Sequence, residues 1–415
     1  VLAIIMAGGA GERLLPLTSG RSKAAVPFAG KYRIIDFVLS NCINSGIRQI
    51  FVLTQYLSDS LNKHIQDGWG ISSSRLGDYI YCVPAQQKAG ADWYRGTADA
   101  IRQNLDLVKG KNADTILILS GDHIYKMDYL QMVAYHKMKK ADLTLSAIRV
   151  RAEEAAGRLG VLEVDEKCNV VGFEEKPRQP MTITDAPDYV FGSMGIYVFK
   201  ASALREALLE PEDDFGKGAI PRAISRGRNV FAYDYEKKNR IEDFVVEVRE
   251  GTRYKIPVDR THDSSYWKDI GTIDSYYEAN MELLSIDPPF NLYGEKWPFR
   301  AYERSLPPTK FVFGGRSPDS MVADGCIISG GVVWNSILSP GVVVERDALV
   351  EESIILNDVN IEPGARVRRA IIDKDVRVKS GVSLGYDLEA DTRKGCIISD
   401  KGIVVVPGGM VIGLD

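Results

Sequence analysis

Histidine is scarce in this chain, four residues in 415, and its five cysteines, Cys42, Cys82, Cys168, Cys326 and Cys396, stand far apart without paired spacing. The first shortage leaves little material for histidine-based metal or triad chemistry. The second excludes a disulfide scaffold and a zinc site, and fits a reducing compartment, the cytoplasm. No apolar run reaches the length of a membrane span, and no signal-peptide pattern is visible. Charge of one sign is also lacking: the net charge is -4, with no run of like charges. That gives no electrostatic footprint for nucleic acid. The sequence opens on Val1 directly before its first strand, without a methionine. Missing native residues or a removed targeting segment therefore stay open.

What is present is ordinary in bulk, 45% hydrophobic and 26% charged, and long enough for two domains. The organising stretch runs from Leu2 to Leu14. Leu2-Ala3-Ile4-Ile5-Met6 is an unalternating apolar run of strand length, which reads as a strand buried on both faces of a parallel sheet. Gly8, Gly9 and Gly11 follow. Glycines there free the backbone to turn sharply and let its amides converge on phosphate oxygens, at the carboxyl edge where open α/β sheets bind ligands. Two known phosphate motifs fail. A dinucleotide fingerprint needs a third glycine at Leu14 and an acid ending the second strand, where Thr54-Gln55-Tyr56 stands; a P-loop needs Gly-Lys-Ser/Thr, and Gly30-Lys31-Tyr32 lacks the hydroxyl. Arg13, Arg21 and Lys23 lie close behind the glycines, which favours phosphate binding over a plain turn.

Buried strands expected at Gln49–Thr54, Tyr79–Val83 and Thr115–Ser120, with a helix from Ile34 to the stop at Asn44-Ser45-Gly46, mark a doubly wound α/β sheet. A polar loop is expected from Trp69 to Gly77. Thr97 is placed to cap a helix continuing through Leu107. Gly121-Asp122-His123 ends the third of these strands, so Asp122 stands at the ligand edge, where a carboxylate can hold magnesium; Asp128 is the better cap for the helix beyond it. Strands at Leu143–Val150, Gly160–Val164, Val170–Phe173 and Tyr189–Phe199 extend the sheet in mixed or antiparallel fashion. Glu175 and Lys176 would point to opposite faces of a strand unless a bulge or Pro177 turns both towards one ligand. Ser193 lies in a strand rich in small residues, a sign of close approach by a ligand or another backbone. Asp269, ahead of a helix from Ile273 to Leu284, offers a second carboxylate for a metal.

Asp287-Pro288-Pro289 and Leu306-Pro307-Pro308 bracket a linker, giving a division into 1–286, 287–320 and 321–415. Beyond it, Ile337, Val343, Leu349, Ile355, Ile361 and Val367 stand six apart. Val332, Leu338, Val344, Val350 and Leu356 form a second row, and Ile372, Val378 and Leu384 continue after a one-residue shift. With Gly341, Gly364 and Gly381 at corners, this is the pattern of a parallel β-helix, whose open end coil favours self-association. A glycine loop, basic residues and separated aspartates without a protein nucleophile suit nucleotidyl transfer. There a sugar phosphate attacks the α-phosphorus of a nucleoside triphosphate while Arg13, Lys23, Lys176 and a magnesium ion on Asp122 and Asp269 offset the charge.

These residues carry a resemblance. Gly8 to Thr18 with Lys23 resembles the sugar nucleotidyltransferases. Lys31-Tyr32-Arg33-Ile34-Ile35-Asp36-Phe37, Trp93 to Ala100, Gly121 to Tyr129 and Ser193 to Phe199 are similar, more narrowly, to the glucose-1-phosphate adenylyltransferases of glycogen and starch synthesis. The resemblance implies a Rossmann-like catalytic domain, a C-terminal left-handed parallel β-helix, and formation of ADP-glucose and pyrophosphate from ATP and glucose 1-phosphate. It implies Tyr94, Gly160, Glu175, Lys176 and Ser193 at glucose 1-phosphate, and Asp122 and Asp269 on magnesium. Gly8, Gly9, Gly11, Arg13 and Lys23 would lie at the triphosphate, with Gln55, Gly96 and Thr97 about the nucleotide. It also implies a tetramer of like or unlike chains, regulated by sugar phosphates and by AMP or phosphate at the domain junction, where Arg21 and Arg33 match effector positions. Gly20 and Pro27 stand where some bacterial members carry Lys and His, and Ala24 where proline is usual. A related enzyme using another base, or a non-catalytic regulatory subunit, are the alternatives.

Overall fold

The computed structural model describes residues 1–70, 74–86, 93–109 and 113–413. Part of the polar loop expected between Trp69 and Gly77 lies outside them. The apolar runs do become the buried centre of a nine-stranded sheet. Strand β1 (Leu2–Met6) lies between β2 (Gln49–Thr54) and β4 (Thr115–Ser120), parallel to both, and β3 (Tyr79–Pro84) extends β2 in the same sense. Helix α1 (Ile34–Asn44) packs on one face of this sheet, Val38, Leu39 and Cys42 meeting Ile5 and Leu119 in one cluster. Leu2, Ile4 and Ile118 point to the other face and meet Ala98 and Ile101 of helix α2 (Thr97–Arg102). Apolar side chains on both faces explain why these strands do not alternate.

Past β4 the sheet turns antiparallel. The long strand β6 (Tyr189–Lys200) pairs with β4 from Ile196 onward and with Leu143–Arg151 along most of its length. Its register shifts between Ser193 and Tyr197, where Gly195 takes φ 66°. That bulge interrupts the pairing to Leu143–Arg151, while the opposite edge of the strand pairs with Val161 and Leu162 before it and with β4 after it. A second ladder leaves the main sheet altogether. Strand β5 (His123–Tyr125) pairs antiparallel with β7 (Trp267–Asp269), opposing His123 to Asp269 and Tyr125 to Trp267. Helix α3 (Ile273–Met281) follows at once, with Thr272 and Ser275 forming its capping box. An exposed hairpin, Asp243–Arg249 with Thr252–Val258, turns at Glu250 and Gly251, both at positive φ.

The C-terminal part is a column of short parallel strands on three faces. Stacked serines mark its repeat: the Ser353 amide donates to Ser336 Oγ and the Ala370 amide to Ser353 Oγ, each 17 residues apart. A coil of 17, the spacing of the central stacked strands, is two hexads and a pentad, so there the six-residue rows slip by one position per turn. Leu338, Val344, Val350, Ile355, Ile361, Val367, Ile372, Val378 and Leu384 are all buried inside the column, whereas Val343 and Leu349 of the first expected row are only half-buried. Parallel pairing begins at Lys310–Val312 against Ile327–Ser329, within the stretch read as linker. Ile354, Leu356, Ile371, Ile403 and Val405 leave the column and join Phe28, Phe37, Tyr276 and Tyr277 in a shared core between the domains. Arg21 Nη2 donates to both Asp373 carboxylate oxygens across that junction, at 2.6 and 2.7 Å.

Candidate active site

The carboxyl edge of β1, β2 and β4 opens on a cavity of about 320 Å³. Gly8, Gly9, Lys23, Gln55, Tyr94, Gly96, Thr97, Ser120, Asp122 and Asp214 line it. The glycine loop is shaped by close contacts. Gly11 has φ 68°, and a Cβ there would stand 3.0 Å from Lys23 Cβ and 3.1 Å from Thr18 Cγ2. Thr18 Oγ1 donates to the Gly11 carbonyl at 2.9 Å, which folds the following segment back beneath the loop. Among the described residues the amides of Gly8, Gly9, Ala10 and Gly11 donate to no protein acceptor. Free amides converging at a strand end are what phosphate oxygens require.

Lys23 is nearly buried, and its ammonium lies 2.7 Å from Asp122 Oδ2 and 3.1 Å from Asp269 Oδ1. Burial alone would lower the Lys23 pKa; the two carboxylates outweigh it and raise it. Burial likewise disfavours the Asp122 carboxylate, but Lys23, His123 and the Ser120 hydroxyl more than offset it and hold its pKa below the ordinary range. Asp122, His123 and Asp269 offer ligand atoms within 4.8 Å of one another. Two hard carboxylate oxygens already disposed about a cationic group fit a divalent metal of the magnesium class. The Arg13 guanidinium lies beside Asp269, both within reach of a Cβ built on Gly271. Asp122 and Asp269, far apart in sequence, meet because one follows β4 and the other ends β7, joined through β5.

Of the sugar-phosphate candidates, Tyr94 lines this cavity, and Glu175 comes near Asp214 of its wall at Gly216. The chain leaves its strand at Glu174, and Lys176 takes φ 51°, so Lys176 Nζ and Glu175 Oε1 lie 3.5 Å apart on one side. Burial raises the Glu175 pKa, Lys176 opposes it, and Asp214 adds to the rise. A Cβ at Gly160 would reach 2.5 Å from Phe173 Cζ and 2.9 Å from Glu175 Oε2. The Ser193 amide donates to the Gly160 carbonyl at 2.7 Å, which brings both residues to the same place. The Tyr94 hydroxyl accepts from Asn104 Nδ2 at 2.7 Å, and Gln55 Nε2 donates to the Tyr94 carbonyl at 3.3 Å.

Thr97 does not cap a helix reaching Leu107. Gly96 is the cap residue, α2 stops at Arg102, and a separate helix spans Leu105–Lys109. Thr97 Oγ1 instead donates to Asp214 Oδ2 and accepts from the Phe215 amide, at 3.0 and 3.1 Å. Asp214 is the residue that sequence reasoning missed. It caps the turn Phe215–Ala219 through the Gly216 and Lys217 amides, and the run Asp213-Asp214-Phe215-Gly216-Lys217 was its signal. His123, beside Asp122, was likewise not singled out. Arg21 and Arg33 lie apart from this cavity. They line a second one of about 470 Å³ between the domains, with Lys31, Arg304 and Lys374. Arg33 Nη1 donates to the Ser60 carbonyl at 2.7 Å.

Residues 2–286 match the family model described as nucleotidyl transferase, and 307–406 match the GlmU-like C-terminal hexapeptide model. Proteins named glucose-1-phosphate adenylyltransferase are similar nearly end to end. Those of Methylobacillus flagellatus and Teredinibacter turnerae are each 44% identical over 99% of this chain, covering 94% and 95% of their own lengths. That of Methylococcus capsulatus is 45% identical over 98% of this chain and 92% of its own. The chain belongs to the glucose-1-phosphate adenylyltransferase family. The parallel-stranded column is its hexapeptide-repeat domain, consistent with a left-handed β-helix. Nucleotidyltransferases of this type use a divalent metal. No helix among the described residues is long and apolar enough to cross a membrane.

Proposed function

We propose that this chain transfers the adenylyl group of ATP to glucose 1-phosphate, forming ADP-glucose and pyrophosphate. A phosphate oxygen of the sugar phosphate attacks the α-phosphorus, a new P–O bond forms, and the bond to the bridging oxygen breaks with its electron pair leaving on pyrophosphate. The attacking oxygen is already ionised at neutral pH, so no general base is needed. The work left to the protein is alignment and charge compensation. The observation that carries this reading is Lys23, packed against Gly11 and held between Asp122 and Asp269, beside loop amides that among the described residues donate to no protein acceptor. Loop amides, Arg13 and Lys23 would hold the triphosphate, while Gln55, Gly96 and Thr97 would flank the nucleoside. Tyr94, Gly160, Glu175, Lys176 and Ser193 would receive the sugar phosphate. Asp122 and Asp269 would hold Mg2+, which when bound supplies Lewis-acid stabilisation of the phosphate charge.

Three further readings rest on this one. The junction cavity, with Arg21, Arg33 and Lys374 on its wall, would take anionic effectors of the sugar phosphate, AMP or phosphate kind. The open end of the β-helix supports assembly into a homotetramer. Unpaired cysteines support a cytoplasmic setting. The test of the activity is pyrophosphate release with glucose 1-phosphate and each nucleoside triphosphate in turn, with Mg2+ and after chelation. ATP alone should support rapid release, and chelation should stop it. Equal rates with UTP or dTTP would overturn the adenylyl assignment.

A further inference from the structure

Among the described residues, one charged pair is wholly removed from water and lies outside the cavity. Lys126 Nζ stands 2.6 Å from Asp263 Oδ2, and both side chains have zero exposure. The ammonium also donates to the Asn291 carbonyl at 3.3 Å and faces the Phe299 ring at 5.8 Å, while the Asn291 amide donates to Asp263 Oδ2 at 3.0 Å. Burying two charges is costly, and an apolar pair of the same volume generally packs as well. Such a pair points to a positional role.

Its place supplies that role. Lys126 directly follows β5, which begins at His123 beside Asp122; Asp263 lies just before β7, which ends at Asp269. The ladder between them has three residue pairs. A slip by one residue would turn Asp269 to the opposite face, and so short a ladder does little to fix its own register. Carbonyls on both segments are bridged at the same end: Asn239 Nδ2 donates to those of Lys126 and Ser264, and the Tyr235 hydroxyl contacts those of Lys126 and Tyr266. We infer that Lys126 and Asp263 are positioning residues, whose ion pair fixes the register that brings the Asp122 and Asp269 carboxylates to one cation. This deepens the proposed function and rests on it.

The test uses the full chain. Lys126→Met with Asp263→Asn removes both charges at nearly constant volume and leaves an acceptor for the Asn291 amide. Mn2+ binding in the presence of ATP, followed by electron paramagnetic resonance, is read beside kcat and KM. The expected result is a folded double variant whose Mn2+ dissociation constant rises at least tenfold and whose kcat falls at least tenfold, with the KM for glucose 1-phosphate within twofold. Lys126→Arg keeps the charge, and should retain Mn2+ affinity within threefold. Wild-type Mn2+ affinity and kcat in the double variant would overturn the inference. So would a loss of kcat with Mn2+ affinity unchanged. Should the double variant fail to fold, the arginine variant decides: a folded Lys126→Arg protein that has lost Mn2+ tenfold overturns it. A wild-type chain without pyrophosphate release would instead count against the proposed activity, so the two failures are distinct.

Discussion

Asp122→Asn separates the site's chemistry from the fold. The amide is nearly isosteric, and Lys23 keeps its contact to Asp269 at 3.1 Å, so the ammonium is not stranded. What is lost is the charge behind two contacts, from Lys23 Nζ at 2.7 Å and from the Ser120 hydroxyl, on a side chain still 31% exposed. Discounted for that exposure, the cost to folding is about 1 kcal/mol. Catalysis should lose more. A carboxylate aimed at the charge that forms during the reaction is expected to contribute about 3 kcal/mol or beyond, a factor of at least ~100 in kcat. Pyrophosphate release at saturating substrates, with a thermal melt on the same preparation, reads both. The expected pattern is a melting temperature within a few degrees and a rate down by at least two orders of magnitude. A rate within threefold of the parent would remove Asp122 from the site. A collapse of the melt would make it a folding residue.

Gly160→Ala should raise the KM for glucose 1-phosphate about tenfold and leave that for ATP alone, because the new methyl would meet Phe173 Cζ at 2.5 Å and Glu175 Oε2 at 2.9 Å and so displace both from the sugar-phosphate side. Steady-state kinetics with each substrate varied checks this. Arg21→Met strands a buried Asp373 and should cost about 3–5 kcal/mol in denaturant unfolding, most of it recovered by adding Asp373→Asn. Burial holds the His136 pKa down at about 4, against the pull of Asp142. The folded ring therefore stays neutral while the unfolded one protonates near pH 6.5. Stability should be full above that pH and fall as pH drops towards 4, this ring contributing at most about 1.4 kcal/mol per pH unit. His136→Gln should flatten that part of an unfolding-versus-pH series.

The catalytic core was legible because its strands are buried on both faces and end in residues with few other reasons to stand there. Gly8, Gly9 and Gly11 after β1, and Asp122 after β4, are such residues. Asp269 was legible as a carboxylate ahead of a capped helix, but its meeting with Asp122 depends on a side ladder of a length no periodicity reveals. Thr97 misled because a threonine before a helical run is a good cap on local grounds. A tertiary partner, Asp214, claimed its hydroxyl instead. The two hexad rows were legible as a β-helix, yet their duplication had a second cause. The row doublet Ile355-Leu356 puts one side chain into the column and the other against the catalytic domain, while Val343 and Leu349 fell into the first row because a 17-residue coil slips the six-residue period by one. The hairpin from Asp243 to Val258 was missed, although Glu250-Gly251 between two β-rich runs was a turn signal.

Through its central coils, where stacked residues stand 17 apart, the C-terminal column is modular in steps of one size. Excising a whole coil, such as 337–353, would rejoin strands that already stack on each other and keep the serine stack and aliphatic interior in phase. The column would shorten by about 4.8 Å, one strand spacing. Removing six residues, the unit the bare pattern suggests, would instead rotate every later side chain onto the wrong wall. Evolution can therefore lengthen or trim this domain by whole coils, each step moving its free end relative to the catalytic mouth by a fixed increment.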